Sequence, residues 1–331
     1  MSENEMAQIT YVHAINQALA EEMRRDSRVW MMGQDIGRMG GVLGATRGLL
    51  DEFGSSRVRD TAINETFIVG GAAGAAITGT IPVVELQFAD FLLIAGDEVF
   101  NKLAKWRYVH GGRLTMPVTL RVPTGVLGGV GAEHSQSLEA FCMHVPGLKV
   151  VMPSTPSDAK GLLKTAIRDP NPVIFFEHKW LYRVKGEVPQ DPEFLVPFGQ
   201  AAVRRRGDAL TVVATGLMVE RCLAAADALA AEGLEVEVID PRTIVPLDME
   251  TILESVQRTG RAMIVHEAVR TAGVGAEIAS RIQEEAFFAL DAPVWRLGAT
   301  DTPIPQDPEL EQLCIPQTPG IAAAMRQLIS L

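Results

Sequence analysis

One carboxylate, Glu65, heads an unbroken run of uncharged residues from Thr66 to Val84. A bilayer span needs about 20 apolar residues. Here Gly70, Gly71, Gly74 and Gly79 dilute the run, and Gly79-Thr80-Ile81-Pro82 interrupts it, leaving about 13 residues of helix. The run is therefore expected to fold as a buried helix followed by a strand from Ile81 to Leu86, with no membrane span. Gly70/Gly74 and Ala72/Ala76 recur every four positions, so one helix face carries almost no side chain and admits another backbone or a cofactor. A carboxylate entering such a helix is costly to desolvate unless it is paired or used in proton chemistry. The glycines lie inside the helix, not in a strand-to-helix turn, so this is not a dinucleotide fingerprint.

The chain has 331 residues, long enough for two domains with a full core each. Its net charge of −11 excludes the basic stripe that nucleic acid requires. Arg204-Arg205-Arg206 is the only basic cluster, and it precedes the turn Gly207-Asp208, as a solvated hairpin or loop would. Cys142, Cys222 and Cys314 are far apart and odd in number, which fits a reducing, cytoplasmic setting and gives no metal-ligand spacing. The first residues are acidic and lack an apolar core, so no targeting segment is expected.

Strand-like and helix-like segments alternate, the pattern of an α/β protein with mainly parallel sheets. Thr10 is placed to cap a helix reaching about Arg25, with strands at Val29–Met32 and Ile81–Leu86, a helix near Leu92–Val109 and a strand at Val118–Val122. Leu148–Met152, a helix over Ser157–Arg168 and Val173–Phe176 complete a first domain. Periodicity fades across residues 178–197, where Pro189, Pro192 and Pro197 intervene, and this stretch reads as a linker. A second, smaller α/β domain then runs from Leu210–Ala214 to Val294–Leu297.

The glycine-rich stretch Gly128-Gly129-Val130-Gly131-Ala132-Glu133-His134-Ser135-Gln136-Ser137 could hold the His134 imidazole at a site mouth as a proton donor. On those residues alone a structural histidine is an equal reading. Neither a nucleophile elbow nor a phosphate-binding Gly-x-x-x-x-Gly-Lys loop is present.

Several blocks, in order, resemble one family. Asp60-Thr61-Ala62-Ile63-Asn64-Glu65, Glu85-Leu86-Gln87-Phe88-Ala89-Asp90-Phe91, His134-Ser135-Gln136-Ser137 and Pro146-Gly147-Leu148-Lys149-Val150-Val151 are similar to the beta subunits of thiamin-diphosphate-dependent 2-oxo acid dehydrogenases. The register continues through Asp158-Ala159-Lys160-Gly161-Leu162-Leu163, Ile167-Arg168-Asp169-Pro170-Asn171-Pro172 and Glu235-Val236-Glu237-Val238-Ile239-Asp240-Pro241-Arg242-Thr243, nearly the whole chain.

The resemblance implies a transketolase-like pyrimidine-binding domain over 1–190, a linker over 178–197 and a transketolase carboxy-terminal-like domain over 198–331. It also implies an α₂β₂ heterotetramer that serves a lipoyl acyltransferase core, with diphosphate and Mg²⁺ held by the alpha subunit. This chain lacks Asn-Asn, and neither Gly96-Asp97 nor Gly207-Asp208 is followed by glycine, so the metal motif is missing here. By the same resemblance Glu65 is the catalytic glutamate on the aminopyrimidine, Phe91 packs on that ring, Gln87 lies close by and Ile63 forms an apolar wall. His134 corresponds to the family's proton-transferring histidine. A potassium site known in that family maps onto backbone or side-chain oxygens of Val118, Thr119, Ala166, Asp169 and Asn171.

The chain departs from the pattern at Ala62, where proline is usual, and at Glu133, which adds a carboxylate beside His134. The segment Phe175-Phe176-Glu177-His178-Lys179 is closest in look to acetoin dehydrogenase beta subunits, so acetoin or pyruvate is the expected substrate, with branched-chain 2-oxo acids as the alternative. Two other readings stand beside this one: the carboxy-terminal half of a split transketolase, and a non-catalytic scaffold.

Overall fold

The computed structural model describes residues 5–331. They form two compact units, one of residues up to Thr124 together with Phe141–Phe198, the other of Gly125–Ala140 together with Gly199–Leu331. The backbone thus leaves the first unit for a short segment, returns, and leaves again.

In the first unit, β1 (Met6–Thr10) leads into α1 (Tyr11–Arg25), whose first turn is closed by Thr10 Oγ1 accepting the His13 amide. Strand β2 (Val29–Gln34), short α2 (Leu49–Phe53) and β3 (Val58–Thr61) follow. Then come α3 (Glu65–Ala76) and β4 (Ile81–Glu85). The uncharged run therefore splits where glycine and proline fall, into one helix and one fully buried strand.

The helix expected near Leu92–Val109 is three pieces: a 3₁₀ turn (Ala89–Leu93), a π turn (Glu98–Leu103) and α4 (Ala104–Val109). Gly96 lies between the first two, where a helix is least supported. The unit continues with β5 (Thr119–Thr124), α5 (Glu139–Met143), β6 (Lys149–Val151), α6 (Pro156–Arg168), β7 (Val173–His178) and β8 (Lys185–Pro189).

Its strands align in the order β6-β7-β5-β4-β2-β3, every neighbouring pair parallel. Both faces are covered, so β4, β5 and β7 are buried throughout. Residues 178–197, read as a linker, carry a 3₁₀ turn (Lys179–Arg183) and β8, which pairs antiparallel with β1. Such a two-stranded ribbon has one partner and few buried positions, which is why its residues show no apolar period.

The second unit holds β9 (Ala202–Arg205), β10 (Leu210–Ala214), α7 (Leu217–Ala230), β11 (Val236–Asp240), β12 (Thr243–Val245), α8 (Met249–Thr259) and β13 (Ala262–Val269). It ends with α9 (Val274–Ala286), β14 (Trp295–Ala299), α10 (Pro308–Cys314) and α11 (Thr318–Ile329). The sheet order is β14-β13-β10-β11-β9, parallel except for the edge strand β9. The arginine cluster is part of this edge: Arg204 pairs with Asp240, and Arg205 with Asp227 and Glu235. Among the described residues no helix is long and apolar enough to cross a membrane.

Candidate active site

In a parallel sheet, ligands are met at the carboxyl ends of the strands. Strands β3 and β4 flank β2 in parallel, so the segments leaving them emerge at the same edge. Glu65 is the first residue of α3, directly after β3, and is half-buried. Asn64 caps the helix by accepting the Phe67 amide at 2.9 Å, which fixes where the Glu65 side chain begins. An acidic group also gains from the positive end of the helix dipole. Glu65 has no hydrogen-bond or ion-pair partner among the described residues, so its carboxylate is available to a ligand.

Gln87 and Phe91, both half-buried, follow β4, with Phe91 inside the 3₁₀ turn. Phe91 meets Phe88 edge to face at 6.2 Å, and the Lys179 ammonium lies 4.9 Å from the Phe88 ring. The Thr66 hydroxyl donates to the Ile94 carbonyl at 3.2 Å, tying the first turn of α3 to the chain just past Phe91. Ile63 precedes the helix and is 72% exposed, and Phe67 is 57% exposed, unusual for large apolar groups. A free carboxylate, a half-open aromatic and an exposed apolar side chain on adjoining segments suit the aminopyrimidine end of thiamin diphosphate. His134 belongs to the second unit, half-buried in the Gly125–Ala140 segment. Its amide donates to the Gly131 carbonyl at 3.2 Å.

Beneath the carboxyl ends of β4, β5 and β7 lies a group of charges that the sequence reading left without a role. Arg121, fully buried, forms a two-pronged pair with Glu177 at 2.7 and 2.8 Å and a further pair with Glu85. Tyr182 donates its hydroxyl to Glu177. Burial, reinforced by the Glu177 charge against the attraction of Arg121, raises the Glu85 pKa. Burial also holds the Tyr182 phenol well above its ordinary value, with Glu177 adding to the effect. Glu177 is thus committed to Arg121 and Tyr182. The signal for this group was a lone arginine inside the apolar strand Val118-Thr119-Leu120-Arg121-Val122.

The residues expected to hold potassium adjoin one another. The Val118 carbonyl accepts the Val173 amide at 2.9 Å, and the Ala166 carbonyl accepts the Asp169 amide at 3.2 Å. Asp169 accepts the backbone and side-chain amides of Asn171, each at 2.8 Å, and also pairs with Lys149; Asn171 in turn accepts from Arg107. Two protein cations thus occupy the side-chain oxygens of Asp169 and Asn171, which leaves main-chain carbonyls as the donors such an ion would meet. The buried Thr119 hydroxyl is the set's one unspent side-chain oxygen.

The architecture is that of the transketolase class. Residues 7–185 match the family model "Transketolase, pyrimidine binding domain", and residues 199–321 match "Transketolase, C-terminal domain". A split-gene transketolase solved as an inactive beta4 tetramer shares the fold, with a TM-score of 0.80 at 24% identity over 98% of this chain and 99% of that one.

The sequence relatives are more specific. The chain is 46% identical over 327 residues to the 2-oxoisovalerate dehydrogenase subunit beta of Bacillus subtilis, covering 98% of this chain and 99% of that protein. It is 46% identical over 324 residues to the acetoin:2,6-dichlorophenolindophenol oxidoreductase subunit beta of Cupriavidus necator, covering 95% of each. It is 44% identical over 327 residues to the pyruvate dehydrogenase E1 component subunit beta of Bacillus subtilis, covering 98% and 99%. The chain belongs to the family of beta subunits of thiamin-diphosphate-dependent 2-oxo acid dehydrogenases.

Proposed function

We propose that this chain, joined to an alpha subunit in an α₂β₂ assembly, cleaves a small 2-oxo substrate and delivers the acyl group to a lipoyl carrier on an acyltransferase core. The observation that carries the reading is the unpartnered Glu65 carboxylate at the capped start of α3. When bound, thiamin diphosphate supplies a nucleophilic carbon and an electron sink. Glu65 shares a proton with a ring nitrogen of the aminopyrimidine, a task suited to a carboxyl group whose place is set by the helix cap. Phe91 and Ile63 offer that ring apolar contact and exclude water, and Gln87 orients it. His134 moves a proton at the substrate oxygen. In this reading the diphosphate and Mg²⁺ are bound by the alpha subunit.

Relatives named for branched-chain, acetoin and pyruvate chemistry stand at 46%, 46% and 44% identity, so overall similarity does not rank the substrates. With Glu177 buried against Arg121, the Glu177-His178-Lys179 segment gives no preference either. Acetoin, pyruvate and branched-chain 2-oxo acids therefore stand as alternatives, which the comparison of turnover below separates. A split transketolase is disfavoured by the 24% identity to such a protein against 46% to dehydrogenase subunits.

The test is Glu65→Gln in the enzyme reconstituted with its alpha subunit, assayed on acetoin, pyruvate and 3-methyl-2-oxobutanoate with an artificial electron acceptor. The amide keeps the shape but cannot share the proton, so turnover should fall roughly 10²–10⁴-fold while thiamin diphosphate still binds. Wild-type turnover by the variant would remove Glu65 from the chemistry.

A further inference from the structure

The segment carrying His134 has little conformational preference of its own. Gly125, Gly128, Gly129 and Gly131 have φ values of 78°, 81°, 96° and 81°, and a chain so rich in glycine loses much entropy when ordered. Something outside the segment must hold it. Within the second unit, two carboxylates do. Glu267 Oε1 accepts the Val126 amide at 2.8 Å. Glu311, fully buried in α10, accepts the Gly128 amide on Oε1 and the Gly129 amide on Oε2, both at 2.9 Å.

Successive amides turned to one side by left-handed glycines make a concave anion-binding nest. Here the nest is filled by the protein's own carboxylate. Contact with the start of α10 and the residues leading into it is just as close: a Cβ on Gly129 would lie 2.8 Å from the Gln306 carbonyl oxygen and 3.1 Å from Pro308 Cγ. Val126 packs with Ala299 and Ile315, fixing the start of the segment. The Gly125 amide donates to the Gln136 carbonyl and the His134 amide to the Gly131 carbonyl, both at 3.2 Å, so the anchored base is connected to the histidine turn. Burying a carboxylate is costly, and an apolar side chain would fill the same volume at less cost. The cost is matched by charge-assisted bonds that set two adjacent peptide groups at once.

We infer that Glu311, assisted by Glu267, is a positioning residue that presents His134 to the reaction by clamping the amides of Gly128 and Gly129. The inference rests on the proton-transfer role proposed for His134.

The experiment uses the chain reconstituted with its alpha subunit. In the wild type, hydrogen exchange at Gly128 and Gly129 should be strongly slowed relative to Ala132 and Glu133 of the same segment. Free exchange at both glycines overturns the clamp without any variant. In Glu311→Gln, one amide loses its acceptor and faces an NH₂ group. Exchange at the two glycines should rise about tenfold, and kcat should fall about tenfold or more. KM and thiamin-diphosphate affinity should stay within about twofold, because the ground-state contacts are elsewhere. Adding Glu311→Gln to His134→Ala should cost nothing further, since both act through one imidazole. Faster exchange with unchanged kcat overturns the positioning role. A fully active His134→Ala removes the premise instead, whereas an impaired His134→Ala beside an unimpaired Glu311→Gln overturns the clamp alone.

Discussion

Arg121 shows how a single residue can organise a site it need not touch. Its partners Glu85 and Glu177 are 36 and 56 residues away, so only parallel pairing of β4, β5 and β7 brings them to one guanidinium. Removing the arginine alone strands two buried carboxylates. Arg121→Met is expected to destabilise the chain by about 3–5 kcal/mol, read as a lower urea midpoint. Adding Glu85→Gln and Glu177→Gln should recover most of that loss, and a triple variant as unstable as the single one would contradict this account. Glu65 and Phe91 were legible because they sit in short motifs next to the turns that place them. Arg121 was visible only as a charge out of place, and Glu311 gave no signal, because its function depends on a loop 183 residues earlier.

The helix α3 illustrates what an element can and cannot reveal. Its start, its small-residue face and its end at the glycine-proline break were all readable from local chemistry, as was the Thr10 cap of α1. The broken 3₁₀, π and α pieces after β4 were not, because their apolar spacing is compatible with one helix and tertiary packing decides otherwise. The face itself is uneven. A Cβ on Gly70 would meet Glu98 Cγ at 3.2 Å, while one on Gly74 meets nothing within 4 Å. Gly74→Ala should therefore stabilise the isolated chain by about 1 kcal/mol through helix propensity. If the proposed partner subunit packs on this face, Gly74→Leu should leave the isolated chain folded yet block reconstitution in sedimentation. Normal assembly of the leucine variant would assign the face to solvent.

At the scale of the whole molecule, two buried groups give stability opposite dependences on pH. Burial lowers the His266 pKa from 6.5 to about 4, a donor bond to the Ala268 carbonyl opposing the shift and Arg296 adding to it. Burial raises the Glu139 carboxyl from 4.5 to about 7, its own backbone amide opposing the shift and Glu267 adding to it. Between about pH 4 and 6.5 the unfolded histidine holds the extra proton, so its contribution to stability grows as pH rises. Between about pH 4.5 and 7 the folded glutamic acid holds the extra proton, so its contribution falls as pH rises. Each spans on the order of 3 kcal/mol, and over the shared window they offset. Glu139→Gln removes only the falling term, so the variant's stability relative to the parent should increase by about 3 kcal/mol from pH 4.5 to 7 in urea unfolding. A difference that stays constant with pH would refute this. The α/β class was legible from the alternation of strands and helices, but the assignment of Gly125–Ala140 was not, because its anchors are single carboxylates far along the chain. That assignment bears on how such genes can be recombined. A crossover near residue 198 would transplant Glu267 and Glu311 from one parent while leaving the glycine segment they grip from the other, so the two parts must co-evolve or be exchanged as a pair.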